Sequence, residues 1–175
     1  GLGYSLPAAA TATLPEHLIG ITQDFVQQVV ATYLERSEIQ ARHEIEVQQI
    51  DPRLRLPLCD QSLTASLESP AQPVGRVTVR VRCPGSSPWT VFVPGQVHIY
   101  RQVVIVNRPL KRKSVLSSAD LTLVERDIGL LNQGFLTDTE QAAGKKLTRP
   151  VLPDQILTAA HLEQAEVIRR GDQLV

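Results

Sequence analysis

The chain has 175 residues, no net charge, 42% hydrophobic and 21% charged side chains. That is the profile of one ordinary globular domain or two small ones, and the neutral balance argues against a dedicated nucleic-acid binder. No run approaches the roughly 18 apolar residues of a membrane span, so no membrane insertion is expected. The charge is uneven: residues 1–100 carry 7 Arg, no Lys and 9 acids (−2), whereas residues 101–175 carry 11 basic and 9 acidic residues (+2). The shift marks a boundary near residue 100.

Residues 1–13 hold neither a basic segment nor a long apolar run, so they read as a disordered N-terminus and not as an intact signal peptide. The chain contains no methionine and is expected to begin inside a longer product or after a cleavage. LPEHLIGITQDFVQQVVATYLER (14–36) predicts an amphipathic helix. Its stripe is Leu18, Ile21, Phe25, Val29 and Tyr33, with Val26 and Val30 beside it. Thr13 is expected to cap the helix, and Pro15 suits the first turn. HEIEVQQI alternates as a strand with Ile45 and Val47 on one face. DPRLRLPLC is extended, and residues 69–73 (SPAQP) form a loop.

In VGRVTVRVRC, Val77, Val79, Val81 and Cys83 share the buried face of a strand. Two further strand runs flank Pro94-Gly95, a turn dipeptide, and Trp89 is in phase with Val91 and Val93 as a core residue. The region reads as a helix on an antiparallel sheet, an α+β unit. Its two cysteines, Cys59 and Cys83, are the only ones in the chain. The spacing is not CxxC, and the histidines (17, 43, 98 and 161) show no paired metal-ligand spacing. Two buried free thiols are one reading. A bridge is favoured in a core short of aromatics, would be worth roughly 3–4 kcal/mol in the chain-entropy model, and implies an oxidising compartment.

The second region contains a repeat. RPLKRKSVLSSADL (108–121) aligns without gaps on RPVLPDQILTAAHL (149–162), an offset of 41 residues. Arg108/Arg149, Pro109/Pro150, Leu116/Leu157, Ala119/Ala160 and Leu121/Leu162 are identical. Ser117 and Asp120 have capping-box spacing. Two copies imply internal pseudo-symmetry and are too few for a solenoid.

No nucleophile stands beside a base, so no catalytic or cofactor-binding residue is assigned. Arg126 and Asp127, in the cluster Glu125-Arg126-Asp127, form either a partner site or a solvated strand end. Leu130, Leu131 and Phe135, in GLLNQGFLTD, are partner candidates or pack beneath their loop. Lys111-Arg112-Lys113 and Arg170-Gly171-Asp172 read as ordinary turns.

DPRLRLP before Cys59, the RCPG…PW signature, and the RPL…DLTLVERDIGLLNQGFLTD run with its later RRGD resemble the family of flagellar basal-body P-ring assembly proteins. These are periplasmic chaperones of Gram-negative bacteria. The resemblance covers residues 14–175. It implies an N-terminal α+β domain with a disulfide over 14–102 and a SAF (antifreeze-like) β-clip domain over 103–175. It implies a periplasmic protein without enzymatic activity, cofactor or metal, whose partner is the flagellar P-ring subunit, with self-association as a second expectation. Together with the two-part composition it suggests a hinge in the crossing strand at Tyr100, Gln102, Val104, Val106 and Asn107. Relatives of the SAF type offer alternatives: a carbohydrate or cell-wall binding module, a pilus assembly protein, or a lyase or synthase fragment. Lys113 and Asp154 stand where the family has turn glycines, which predicts altered geometry in the first turn. The family pattern continues past IRRGDQLV, so further C-terminal strands are expected beyond this chain.

Overall fold

The structure, a computed structural model, describes residues 12–69 and 72–163. It divides into two compact units, residues 1–99 and 100–175. The expected turn at Arg170-Gly171-Asp172 lies outside the described residues.

In unit 1, the strands β1 (Ala12–Thr13), β2 (Arg42–Val47), β3 (Leu56–Pro57), β4 (Thr64–Leu67), β5 (Gly75–Cys83) and the first part of β6 (Trp89–Val106) accompany one helix, α1 (Pro15–Arg36). The sheet order is β2-β6-β5-β4, and β1 pairs with β3 separately. Ala12 and Thr13, expected within the disordered N-terminus, thus form a strand. Thr13 does not cap the helix: its Oγ1 donates to the Pro57 carbonyl at 3.2 Å, and Leu14 is the N-cap. β4 was not foreseen, because TASL is short and only weakly alternating.

The helix is present, but its seam is rotated from the expected stripe. Leu18, Thr22, Val26, Val30 and Leu34 are buried, while Ile21, Phe25, Val29 and Tyr33 are half-buried along its flank. The opposing sheet face is built from Val77, Val79, Val81, Val93 and Val97. Leu18, Val26, Val30 and Leu34 are buried in this seam, and the two rings, Phe25 and Tyr33, are left at the rim. Thr22 is carried into the core by this rotation, and its Oγ1 has no hydrogen-bond partner.

Pro94-Gly95 does not turn the chain. β6 runs through it unbroken and pairs antiparallel with β5 from Trp89 to Val97. Thr78, opposite Pro94, gives its carbonyl to Glu68 on the β4 side. Thr78 and Pro94 therefore form a non-hydrogen-bonded pair, and the missing proline N–H costs β5 nothing. The Pro94 carbonyl accepts from Gln48 N at 2.9 Å just beyond β2. A Cβ on Gly95 would lie 3.0 Å from the Glu46 carbonyl oxygen, so the glycine permits the close approach of β2.

Cys59 and Cys83 form a disulfide with their Cα atoms 5.7 Å apart. It ties the irregular segment after β3 to the end of β5. Two further bonds secure the same corner. Trp89, half-buried and opposite Cys83 in register, donates from Nε1 to the Pro57 carbonyl at 2.9 Å. Asp60 accepts from Ser86 N at 3.0 Å and from Ser86 Oγ at 2.5 Å. These bonds, the Ser86 side chain first, hold the Asp60 carboxyl below its usual range.

Unit 2 is organised by the repeat. Leu110 and Val151, equivalent at the 41-residue offset, exchange N–H···O bonds of 2.9 and 3.0 Å, so a pseudo-two-fold axis passes between them. The surrounding pairs obey it. Val106–Leu121 matches Leu147–Leu162, and Ile105–Ile156 matches Lys146–Val115. Asn107 N donates to the Asp120 carbonyl, and Thr148 N likewise to that of His161. The core is correspondingly doubled: Val106, Leu110, Leu116 and Leu121 on one side, Leu147, Val151, Leu157 and Leu162 on the other. Strand β7 (Leu121–Asp127) pairs antiparallel with Tyr100–Val106 of β6. The architecture is one helix on a mostly antiparallel sheet followed by a β-clip. Lys113 and Asp154 both take the left-handed backbone that glycine adopts most readily, at φ 73° and 68°. The Lys113 ammonium pairs with the Glu163 carboxylate.

Two stability predictions follow from unit 1. Thr22→Val, which removes an unsatisfied buried hydroxyl at constant shape, is expected to stabilise by about 1–2 kcal/mol in chemical denaturation. The double variant Cys59→Ala/Cys83→Ala is expected to lose about 2–5 kcal/mol in the same assay. A loss within error would show that the corner is held by its hydrogen bonds alone.

Candidate functional site

The residues singled out in the sequence do not form one cluster. Arg126 stands opposite Arg101 in the β6–β7 ladder and donates to its neighbour's carbonyl, Glu125 O, at 3.0 Å. Like charges opposite one another are unfavourable. Arg101 resolves this by lying over the Phe135 ring, 5.8 Å from its centroid. Asp127 accepts from Gly129 N at 2.9 Å and so caps the short turn Ile128–Leu130. Tyr100, Gln102, Val104 and Val106 pair in sequence with Asp127, Glu125, Leu123 and Leu121. Val104 and Val106 are fully buried, and Asn107 Nδ2 donates to the Ala119 carbonyl at 2.9 Å.

Leu130 and Leu131 are different. The turn that Asp127 caps leaves Leu130 66% exposed, the most exposed large apolar side chain among the described residues. Both leucines line a groove of about 470 Å³ whose other wall is the second repeat copy: Arg149, Pro150, Ile156, Thr158 and His161. Sequence reading named the leucines and missed Arg149 and His161. The signal was nevertheless in the repeat, where the aligned pair Asp120/His161 is a chemical mismatch.

The two copies use that position differently. In the first, Asp120 Oδ2 accepts from Ser117 N at 3.0 Å and Ser117 Oγ at 3.1 Å, while Oδ1 accepts from Arg108 Nε at 2.8 Å. These bonds, the Ser117 N–H first and then Arg108, hold the Asp120 carboxyl below its usual range. In the second copy, His161 Nδ1 accepts from Thr158 N at 3.0 Å and lies 3.1 Å from Thr158 Oγ1. An accepting Nδ1 places the proton of a neutral ring on Nε2. Burial and then the Arg149 charge lower the pKa of the ring, outweighing the contact with Thr158 N. No group of three His, Cys, Asp or Glu side chains able to hold a metal converges among the described residues.

Two family descriptions match the chain in succession. Residues 26–99 match the FlgA N-terminal domain, and residues 101–175 match the family described as chaperone for flagella basal body P-ring formation. The chain belongs to this family. Its fold is similar to that of Salmonella FlgA in a closed form, at 23% identity and TM-score 0.55, covering 81% of this chain and 69% of that one. It is also similar to Salmonella FlgA in an open form, at 22% identity and TM-score 0.56, covering 81% and 65%. For Thermotoga maritima FlgA the values are 18%, 0.55, 83% and 54%. The chain thus spans about half to two thirds of the length of these relatives. No curated protein matches it by sequence. No helix among the described residues is long and apolar enough to cross a membrane.

The His161 geometry predicts a pH dependence. Unfolded, the ring titrates near 6.5; folded, its pKa is lower and the neutral form is favoured. Its contribution to stability is therefore complete above pH 6.5 and is lost as pH falls through the folded value. In thermal unfolding between pH 7.5 and 5, the wild type is expected to lose more stability than His161→Asn, in which the titration is removed. Parallel curves would show that the ring titrates alike in both states.

Proposed function

We propose that the chain works in the periplasm by binding the flagellar P-ring subunit and holding it back from self-association until it joins the ring. The single observation that carries this reading is the successive match of both halves of the chain to the two domains of the P-ring chaperone family. The disulfide supports it, since such bridges persist in oxidising compartments. The reading needs no chemistry at a reacting centre: the action is binding, and the chain acts without catalysis.

The Salmonella FlgA structures carry the names closed form and open form. We carry that pair over as a hinge in the crossing strand, within the proposed segment Tyr100–Asn107. Because Tyr100 to Val106 are tied to β7 residue by residue, we put the bend at the N-terminal end of the segment, beside Ile99.

The test is direct. Purified P-ring subunit is diluted from denaturant and its light scattering followed with and without the full chain. Suppression that saturates near stoichiometric chain, with a co-eluting complex in size exclusion, is expected. Undiminished scattering and no complex would overturn the reading, and binding to peptidoglycan fragments instead would favour a cell-wall binding module.

A further inference from the structure

The first repeat copy shows what its arginine binds. Arg108 Nε reaches a carboxylate, Asp120 Oδ1, at 2.8 Å. The equivalent Arg149 faces His161, which inherits only half of the work of Asp120. The imidazole accepts from Thr158 through Nδ1 and so keeps the cap, but its remaining nitrogen is a donor and offers Arg149 nothing. Among the described residues no carboxylate pairs with Arg149. Arg149 and His161 line one groove together with Leu130, Leu131 and Ile156 and the polar Asn132, Gln133 and Gln155.

We propose that this groove binds a carboxylate-bearing peptide segment of a protein partner, an Asp or Glu side chain flanked by apolar residues. The acid takes the place that Asp120 holds beside Arg108, and its apolar neighbours pack on the leucines. Charge complementarity selects the occupant: a planar guanidinium matches a carboxylate, and the two leucines offer apolar contact that a peptide can use and a free anion cannot. The inference deepens the chaperone reading and rests on it only in taking the ligand to be a protein segment.

The test uses short peptides and not the ring subunit, so its failure and that of the chaperone reading are distinguishable. Full-length ¹⁵N-labelled chain is titrated with acetyl-Leu-Leu-Glu-Leu-amide, with the Gln analogue, and with inorganic phosphate. The Glu peptide is expected to shift the Leu130, Leu131 and Thr158 amides and to bind about two- to fivefold more tightly than the Gln peptide, the gain of an exposed ion pair. Arg149→Gln is expected to abolish that preference. So is His161→Asp, which supplies the second copy with the carboxylate that neutralises Arg108 in the first. The latter substitution preserves the cap, because Asp120 makes the same box with Ser117, and an unchanged spectrum outside the groove checks the fold. Equal binding of the Glu and Gln peptides, undiminished binding to His161→Asp, or phosphate binding as tightly as the Glu peptide would each overturn the proposal.

Discussion

Unit 2 depends on one pair of hydrogen bonds, the mutual exchange between Leu110 and Val151. Residues that stand at equivalent positions of a duplicated sequence and also bond to each other must lie across a two-fold axis. Once that pair is set, the remaining bridges can satisfy the same operation only in matched sets, and they do. The constraint reaches the backbone dihedrals. Lys113 and Asp154 occupy one symmetric position and share a left-handed conformation, although glycine would adopt it at lower cost. Lysine is held there by bonds on either side of it: its N–H donates to the Leu147 carbonyl and Ser114 N returns to that of Lys111.

Unit 1 has a different organising principle. Its sheet and helix form a valine-lined core with few large side chains, and the corner beyond β3 contributes almost no buried apolar surface. A segment such as residues 51–63, mostly outside strands, cannot hold itself by burial. It is held by the covalent bridge at Cys59, the indole bond to Pro57 and the Asp60–Ser86 pair. Gly85 belongs to the same arrangement, since a Cβ there would fall 1.9 Å from Asp60 Oδ1. Local polar bonds and one crosslink replace the core that this corner lacks.

Much of this was legible in the residues, and the failures have physical causes. Period-two alternation identified β5 because both of its faces are chemically distinct, valine inward and arginine or threonine outward. The seam of α1 was misplaced by one residue position because two adjacent apolar stripes compete there, and only the shape of the opposing sheet decides between them. Pro94-Gly95 carries a strong turn signal, yet hydrogen-bond phase makes proline harmless at that point and backbone proximity makes glycine useful. Such phase is a property of the pairing partner and is not written in the strand itself. For the groove, the leucines were visible as apolar loop residues and the Asp120/His161 mismatch was visible in the repeat, but that Arg149 and His161 line one groove with the leucines is written only in three dimensions.

The difference between the copies follows from an asymmetry in what each charge requires. Asp120 has its side chain only 6% exposed, whereas that of Arg108 is 63% exposed. A buried carboxylate must be satisfied, and here the serine cap and the arginine satisfy it together. An exposed guanidinium makes no such demand, because water solvates it and a surface pair gains little. Replacing the acid by histidine therefore removes the buried charge, keeps the cap through Nδ1, and leaves the arginine available at small cost. The reverse change, losing the arginine and keeping the acid, would strand a buried negative charge with only the cap to compensate it. Of the two ways to break the symmetry, the second copy has taken the one that stability tolerates, and that is also the one that leaves a cation beside a groove lined by Leu130 and Leu131.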